Sequence, residues 1–269
     1  MNATLHDLHR PLGKTGLRIS PLGLGTVKLG RDQGVKYPNG FAIPDDDQAR
    51  QLLTLARELG INLIDTAPAY GVSEERLGPL LAGQREDWVI VSKVGEEFEN
   101  GQSRFDFSAT HTRFSVERSL KRLRTDRIEL VLVHSGGNDL DILQHTEVYQ
   151  TLADLKREGK ILAFGLSGKT VDGGLLALQQ GDCAMVTYNL NEQAERPVLD
   201  YAAAHGKGIL IKKALASGHA CLKPGDDPVR RSFELLFGHP GVSGAIIGTI
   251  NPQHLTANVR TAAAVLTGN

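Results

Sequence analysis

Aromatic residues and cysteines are scarce: tyrosine, phenylalanine and tryptophan together make up 5% of the 269 residues, and there are two cysteines. Cys183 and Cys221 lack a CxxC spacing or a nearby histidine pair, so the sequence holds no disulfide framework and no zinc pattern, and no metal site is expected. Both thiols read as packing residues. Charge of one sign is also missing, since 30 basic against 31 acidic side chains leave a net −1. No global field therefore draws the chain to nucleic acid or to an anionic membrane. Apolar runs are only strand-sized, such as Val-Ile-Val at 89–91, far below the ~18 residues needed to cross a bilayer. The start, MNATLHDLHRPLG, has no basic-then-apolar pattern and no small-residue cleavage site, so the cytoplasm is the expected location. Small-molecule partners remain, with a monomer or weak homo-oligomer expected.

The composition, 41% hydrophobic and 23% charged, is that of a folded globular chain. Its length equals about two average domains, yet barrels of alternating strands and helices reach this size as one unit. Short runs rich in Val, Ile and Leu recur at 61–67, 88–93, 128–134, 161–167, 183–189, 208–214 and 242–249. Segments of helical spacing lie between and after them, at 46–59, 73–81, 109–123, 146–158, 173–180, 195–205, 228–237 and 252–266. Gly60, Gly83, Gly159, Gly181, Gly206 and Gly238 read as helix-ending glycines, and Ser73 before Glu74 and Glu75 as an N-cap. Continuous apolar strands joined by helices imply a parallel sheet buried on both faces. An eighth strand is expected within 17–26, and the α/β reading becomes a (β/α)8 TIM barrel, with residues 1–16 as a hairpin plugging its N-terminal end. No linker interrupts the pattern, so 1–269 is read as a single domain.

The polar residues fall at the ends of these runs. Asp65, Lys93, His134, Ser167, Asn189, Lys212 with Lys213, and Thr249 all close a strand, and the C-terminal rim of such a barrel is where active sites are built. Each alone has a plain structural reading: Asp65 as a turn residue, His134 as a satisfied core histidine, Tyr70 as a rim aromatic. Together they are harder to dismiss. A lysine at the end of Val-Ile-Val-Ser needs an acidic partner, which Asp65 can supply. A buried ammonium beside the Tyr70 phenol favours the phenolate and brings its pKa from ~10 toward neutrality, making it a proton donor and acceptor. A neutral His134 then donates a hydrogen bond that orients a substrate carbonyl.

Such a site protonates an oxygen while something moves at carbon, and a hydride from a nicotinamide cofactor is one candidate. No G-x-G-x-x-G follows a strand, GLGTVKLG at 23–30 being only a loose match, so a Rossmann domain is not expected. A barrel can instead hold phosphate through its last loops, here 216–218 and 248–251 before Pro252. Two other classes stay open on the residues alone. One is a Schiff-base aldolase using Lys93 or Lys212, with Tyr70 shuttling protons. The other is a catalytically silent dinucleotide-binding sensor.

The ordered segments KTGLRISPLGLGT, INLIDTAPAYG, VIVSKVG, RFSVERSLKRLRTDRIELVLVH, GLSG, VTYN and IIGTINPQHLTANV resemble the aldo-keto reductases over nearly the whole chain. The resemblance implies metal-free, NAD(P)-dependent interconversion of carbonyl and alcohol. It places Asp65, Tyr70, Lys93 and His134 as a catalytic tetrad with Tyr70 the general acid of reduction. It implies that Ser167, Gly168 and Asn189 lie by the nicotinamide carboxamide and Lys212 by the ring. Ala214, Leu215, Ser217 and Gly218 then run along the pyrophosphate, and Gly248, Thr249, His254 and Asn258 hold the adenosine end. Gly168 stands where the family usually has Asn, Met185 where it has Gln, and Lys212 where an aromatic often stacks. GTINPQH at 248–254 contains no Lys or Arg for a 2′-phosphate, which favours NAD(H). The stretch after Val242 leaves little for a C-terminal specificity loop, so an open mouth taking polar, sugar-type substrates is expected. Segments 30–44, with Tyr37 and Phe41, and 96–107, with Phe98, Phe105 and Phe107, are the expected walls.

Overall fold

Eight parallel strands close into a barrel in the computed structural model, which describes residues 4–35, 40–216 and 227–268. The chain enters through an antiparallel hairpin, β1 (Arg10–Pro11) and β2 (Arg18–Ile19). There follow β3 (Leu22–Gly25), α1 (Val27–Gly30), α2 (Asp46–Glu58), β4 (Leu63–Asp65), α3 (Ser73–Leu80) and β5 (Val89–Val94). A second hairpin, β6 (Glu96–Glu99) and β7 (Gln102–Phe105), precedes α4 (Ala109–Leu123), β8 (Ile128–His134), α5 (Asp139–His145), α6 (Val148–Arg157) and β9 (Ile161–Ser167). Then come α7 (Val171–Gln180), β10 (Cys183–Thr187), α8 (Arg196–His205), β11 (Gly208–Lys212), α9 (Pro228–Phe237), β12 (Gly244–Ile247) and α10 (Pro252–Thr267). Around the barrel the order is β3-β4-β5-β8-β9-β10-β11-β12, with β12 pairing back onto β3. This is the (β/α)8 barrel expected from the alternation of runs.

The core is layered as the strand period of two requires. Leu63, Val89, Val91, Leu130, Leu132 and Leu210 pack inside the barrel, while their neighbours Ile64, Ile90, Val131 and Ile209 join the larger cluster under the helices. Leu12 and Ile19 from the first hairpin belong to the inner cluster and are fully buried, so the hairpin does close the N-terminal end. Its turn sits tightly on β11: a Cβ on Gly13 would come within 2.5 Å of Gly208 N. Cys183 is buried in the same interior, and burial pushes its thiol pKa up, as suits a packing residue. Cys221 lies outside the described residues.

Several local readings are corrected. The run 17–26 is two elements, broken at Pro21, which has no N–H for a ladder. Arg18–Ile19 completes the plug, and only Leu22–Gly25 enters the barrel. Gly60, Gly83, Gly159 and Gly206 have the positive φ of helix-ending glycines. Gly181 (φ −126) and Gly238 (φ −70) do not. Ser73 is not the cap of α3; Val72 is, and the Ser73 hydroxyl is buried, donating to Thr26 Oγ1 at 2.8 Å and so tying α3 to the end of β3. Segment 96–107 is mostly a β-hairpin, and α5 is an additional helix before α6. The N-terminal face has a partly buried ion pair of its own, Arg85 with Glu129 at 2.9 Å.

Candidate active site

The barrel's alternation decides which strand-end residues meet. Asp65, Lys93, His134 and Lys212 each stand two positions beyond an inward-facing leucine or valine, namely Leu63, Val91, Leu132 and Leu210. They therefore face the axis, at the C-terminal rim. Ser167 does the same beyond Gly165, whose missing side chain is required because a Cβ there would lie 1.7 Å from Cys183 O. With Tyr70, from the turn after β4, these residues line one cavity of about 700 Å³, within the ~300–1,000 Å³ range of small-molecule sites.

Lys93 and Asp65 are almost sealed from solvent, and Lys93 Nζ lies 2.5 Å from Asp65 Oδ1 and 2.8 Å from Thr66 O. The Tyr70 hydroxyl donates to the other carboxylate oxygen, Asp65 Oδ2, at 3.3 Å, and the ammonium stands 4.6 Å from the centre of the tyrosine ring. The His134 ring meets Tyr70 edge-on with centroids 6.2 Å apart. Its Nδ1 is 2.7 Å from Glu96 Oε2 on β6, a partner that the sequence did not suggest. Burial lowers the His134 pKa, with Glu96 opposing and Lys93 and Lys212 adding to the fall, so the ring is neutral at neutral pH. Glu96 is raised by burial, but His134, Ser103 and Arg31 outweigh this and hold it at about 2.

The other expected site residues divide. Ser167, Lys212, Leu215, Gly248, Thr249, His254 and Asn258 line the cavity. Lys212 Nζ donates to Ser167 Oγ at 3.2 Å and Gly168 O at 2.5 Å, and burial lowers its pKa to about 8. Gly168, Asn189 and Ala214 do not line the cavity. Gly168 is a glycine because a Cβ would meet Asp139 Oδ2 at 2.8 Å, and Asn189 braces two loops by donating to Lys213 O at 3.2 Å. Ser217, Gly218 and Tyr37 lie outside the described residues. Of the expected walls Phe41 faces the cavity, with Lys28 stacked on it at 5.0 Å, whereas Phe98, Phe105 and Phe107 do not. Phe98 instead carries the Arg31 guanidinium at 3.2 Å. Lys213, read from the sequence as a rim residue, also lines the cavity, and Lys28 is a lining residue that the sequence did not suggest. Among the described residues no cluster of His, Cys, Asp or Glu could hold a metal ion, and no helix is long and apolar enough to cross a membrane.

The model of the Aldo/keto reductase family matches residues 21–228. L-galactose dehydrogenase of Arabidopsis thaliana is 31% identical over 78% of this chain, a match spanning 66% of that protein, just under two thirds of its length. NADH-specific methylglyoxal reductase of Escherichia coli is 33% identical over 77% of this chain and 67% of its own. A crystal structure of a candidate aldo-keto reductase from Pseudomonas aeruginosa superposes with a TM-score of 0.91 at 73% identity, covering 98% of this chain and 97% of that one. The family match spans Asp65, Tyr70, Lys93, His134, Ser167 and Lys212, and the chain belongs to the aldo/keto reductase family of oxidoreductases.

Proposed function

We propose that the protein interconverts a small polar carbonyl compound and its alcohol by hydride transfer with a nicotinamide dinucleotide, Tyr70 exchanging the proton at oxygen. The observation that carries this reading is the convergence of Asp65, Lys93 and Tyr70 in one cavity, with a buried ammonium 4.6 Å from the phenol ring. Reduction adds a hydride at the carbonyl carbon and a proton at its oxygen. Once Tyr70 has given that proton, its phenolate lies beside the Lys93 ammonium, itself nearly sealed from solvent, which stabilises the charge. Asp65 keeps the ammonium in place. Oxidation runs the same transfer backwards, with Tyr70 accepting the alcohol proton.

A bound dinucleotide would supply or accept the hydride, and the lining suits one. Four lysines, Lys28, Lys93, Lys212 and Lys213, face the cavity against one carboxylate, Asp65, an excess of donors that complements a pyrophosphate. Lys212 and Ser167 lie at the catalytic end, and Gly248, Thr249, His254 and Asn258 at the β12–α10 end. Residues 248–254 carry no Lys or Arg to pair a 2′-phosphate, which supports NAD(H); the name of the E. coli relative points the same way. The name of the Arabidopsis relative supports a sugar-type or other hydroxylated substrate, for which Asp65, Tyr70, His134 and Ser167 are polar groups in the lining. We assign the chain to one domain, in the cytoplasm.

A second reading has one observation in its favour. Lys212, with a pKa of about 8, holds a neutral amine fraction near neutrality, as a Schiff-base aldolase requires. Lys93 is less suited, its ammonium being held by two oxygen acceptors. Incubation with NADH deuterated at both C4 positions and a carbonyl substrate separates the two readings. Deuterium at the carbinol carbon of the product is expected; an unlabelled product, or a borohydride-trapped adduct on Lys212, would overturn the reductase reading.

A further inference from the structure

Two lysines of the cavity, both withdrawn from solvent, keep different company. Lys93 is neutralised by Asp65, whose Oδ1 lies 2.5 Å from its Nζ. Lys212, at the end of β11, donates instead to two uncharged oxygens, Ser167 Oγ at 3.2 Å and Gly168 O at 2.5 Å, and among the described residues it forms no ion pair. Its ammonium is a charge that no contacting carboxylate cancels.

That charge stands at the reacting end of the cavity. Ser167 pairs in register with His134 on β8, and the His134 ring meets the Tyr70 ring at 6.2 Å, so Tyr70, His134, Ser167 and Lys212 form a continuous arc around the rim. The field of Lys212 reaches His134, whose pKa it helps to lower. The charged groups that face Lys212 in turn are Glu195 before α8, Lys213 beside it, Asp139 on α5 and Lys169 after β9. Glu195 and Asp139 favour the ammonium, and Lys213 and Lys169 oppose it. Both carboxylates are engaged elsewhere, Glu195 by Thr187 N at 2.8 Å and Asp139 by Lys169 N at 2.7 Å and Thr170 N at 2.8 Å. Burial dominates and brings the Lys212 pKa down to about 8, so the charge is present at neutral pH and lost in mild alkali.

A nicotinamide ring is cationic when oxidised and neutral when reduced, and the other charges of the dinucleotide are the same in both forms. Tyr70 exchanges its proton at the oxygen of the carbon that takes the hydride, so the ring has to reach this arc. A cation fixed there opposes the oxidised ring alone. Its attraction for the phosphates is common to both forms and cancels in the ratio of their affinities.

We propose that Lys212 is a specificity-determining residue that biases the cavity toward reduced over oxidised dinucleotide, retaining the neutral ring and releasing the cationic one. The bias relaxes as the amine loses its proton. It rests on the oxidoreductase reading of the same cavity and deepens it by naming the oxidation state that the site prefers.

The test is calorimetric titration of the full-length protein with NADH and with NAD+ between about pH 6.5 and about pH 9.5, a range in which neither dinucleotide changes charge and an unperturbed histidine is largely neutral. Wild type and Tyr70→Phe are compared, the second removing the phenol's own titration. At neutral pH the Kd for NAD+ divided by that for NADH should be about tenfold larger with Lys212 than in Lys212→Met, the order of one unit-charge repulsion across a partly wet cavity. The wild-type ratio should fall by this factor as pH rises through about 8, and Lys212→Met should show no such step. Lys212→Arg stays charged throughout and should keep the high ratio in alkali. An unchanged ratio in Lys212→Met, a wild-type ratio that is flat across the range, or a step that disappears in Tyr70→Phe overturns the proposal. The ratio of NADP+ to NADPH serves equally, since the added phosphate is common to both. Failure of every dinucleotide to bind overturns the functional reading and this proposal with it, whereas binding of both forms at a constant ratio overturns this proposal alone.

Discussion

Lys93 Nζ and Asp65 Oδ1 stand 2.5 Å apart, with side chains exposed by only 1% and 6%. Two charges removed from water are tolerable as a pair and costly singly, so truncating one partner should destabilise more than replacing both. Asp65→Ala is expected to lower unfolding free energy by about 3–5 kcal/mol. The Asp65→Ala/Lys93→Met double variant should lose less than the sum of its parts. Denaturant unfolding of the four proteins measures this, and strict additivity would contradict a coupled pair.

Tyr70→Phe removes a hydroxyl that donates to Asp65 Oδ2 at 3.3 Å and leaves the rest of the ring in place. The account expects turnover to fall ~100-fold or more, the scale of a lost general acid, with dinucleotide affinity nearly unchanged. Lys93→Met should depress the same step, because the phenolate loses its neighbouring cation. Steady-state kinetics together with fluorescence titration separate a catalytic defect from a binding defect.

Burial lowers the Lys212 pKa to about 8, with Glu195 opposing and Lys213 adding to the fall. Below that value the amine is charged and favours an anionic ligand; above it the attraction is lost. Dinucleotide affinity should therefore fall, by roughly tenfold for one charge-assisted hydrogen bond, as pH rises through this value. Lys212→Met should abolish the step. In the ligand-free protein the sign reverses, because a lysine depressed by folding is a penalty at neutral pH, so the same variant should unfold at a higher denaturant concentration.

Asp139, on the first turn of α5, accepts from Lys169 N at 2.7 Å and from Thr170 N and Thr170 Oγ1 at 2.8 Å each, directly after Ser167 at the end of β9. Burial raises its pKa, but Ser135, Lys169 and Thr170 together outweigh that and lower it below 3.8. Its stabilising effect is thus complete above about pH 3.8 and lost as pH falls through the lower folded value. Asp139→Ala should cost about 3 kcal/mol at neutral pH and flatten the acid side of the stability profile, read by urea unfolding across pH. Gly168→Ala should also destabilise, its Cβ falling 2.8 Å from the same carboxylate.

NAD(H) preference is checked by fluorescence titration with both reduced dinucleotides. NADH should bind at least as tightly as NADPH. NADPH binding tighter by about tenfold would require a cation that residues 248–254 do not contain.

The strand ends were legible because the barrel interior enforces alternation: an apolar residue at 63, 91 or 132 commits the polar residue two positions later to the same face. Helix positions were legible for the matching reason, the period of 3.6. Glu96 was not, because it sits in Glu-Glu-Phe-Glu and its partner strand, Gln-Ser-Arg-Phe, is exposed throughout and shows no apolar alternation. Lys28 was hidden in a four-residue helix too short for a periodic signal. The break in 17–26 was marked by Pro21, but only the closed barrel shows that the first half pairs with β1. Asn189 had the right chemistry, yet β10 stops at Thr187 and Asn189, two residues beyond it, braces loops.

The most direct measurement follows dinucleotide absorbance near ~340 nm with a panel of sugars, polyols and small aldehydes, for wild-type protein and Tyr70→Phe side by side. The account predicts turnover by the wild type on hydroxylated substrates and its near-complete loss in the variant. Equal rates for the two proteins would contradict it.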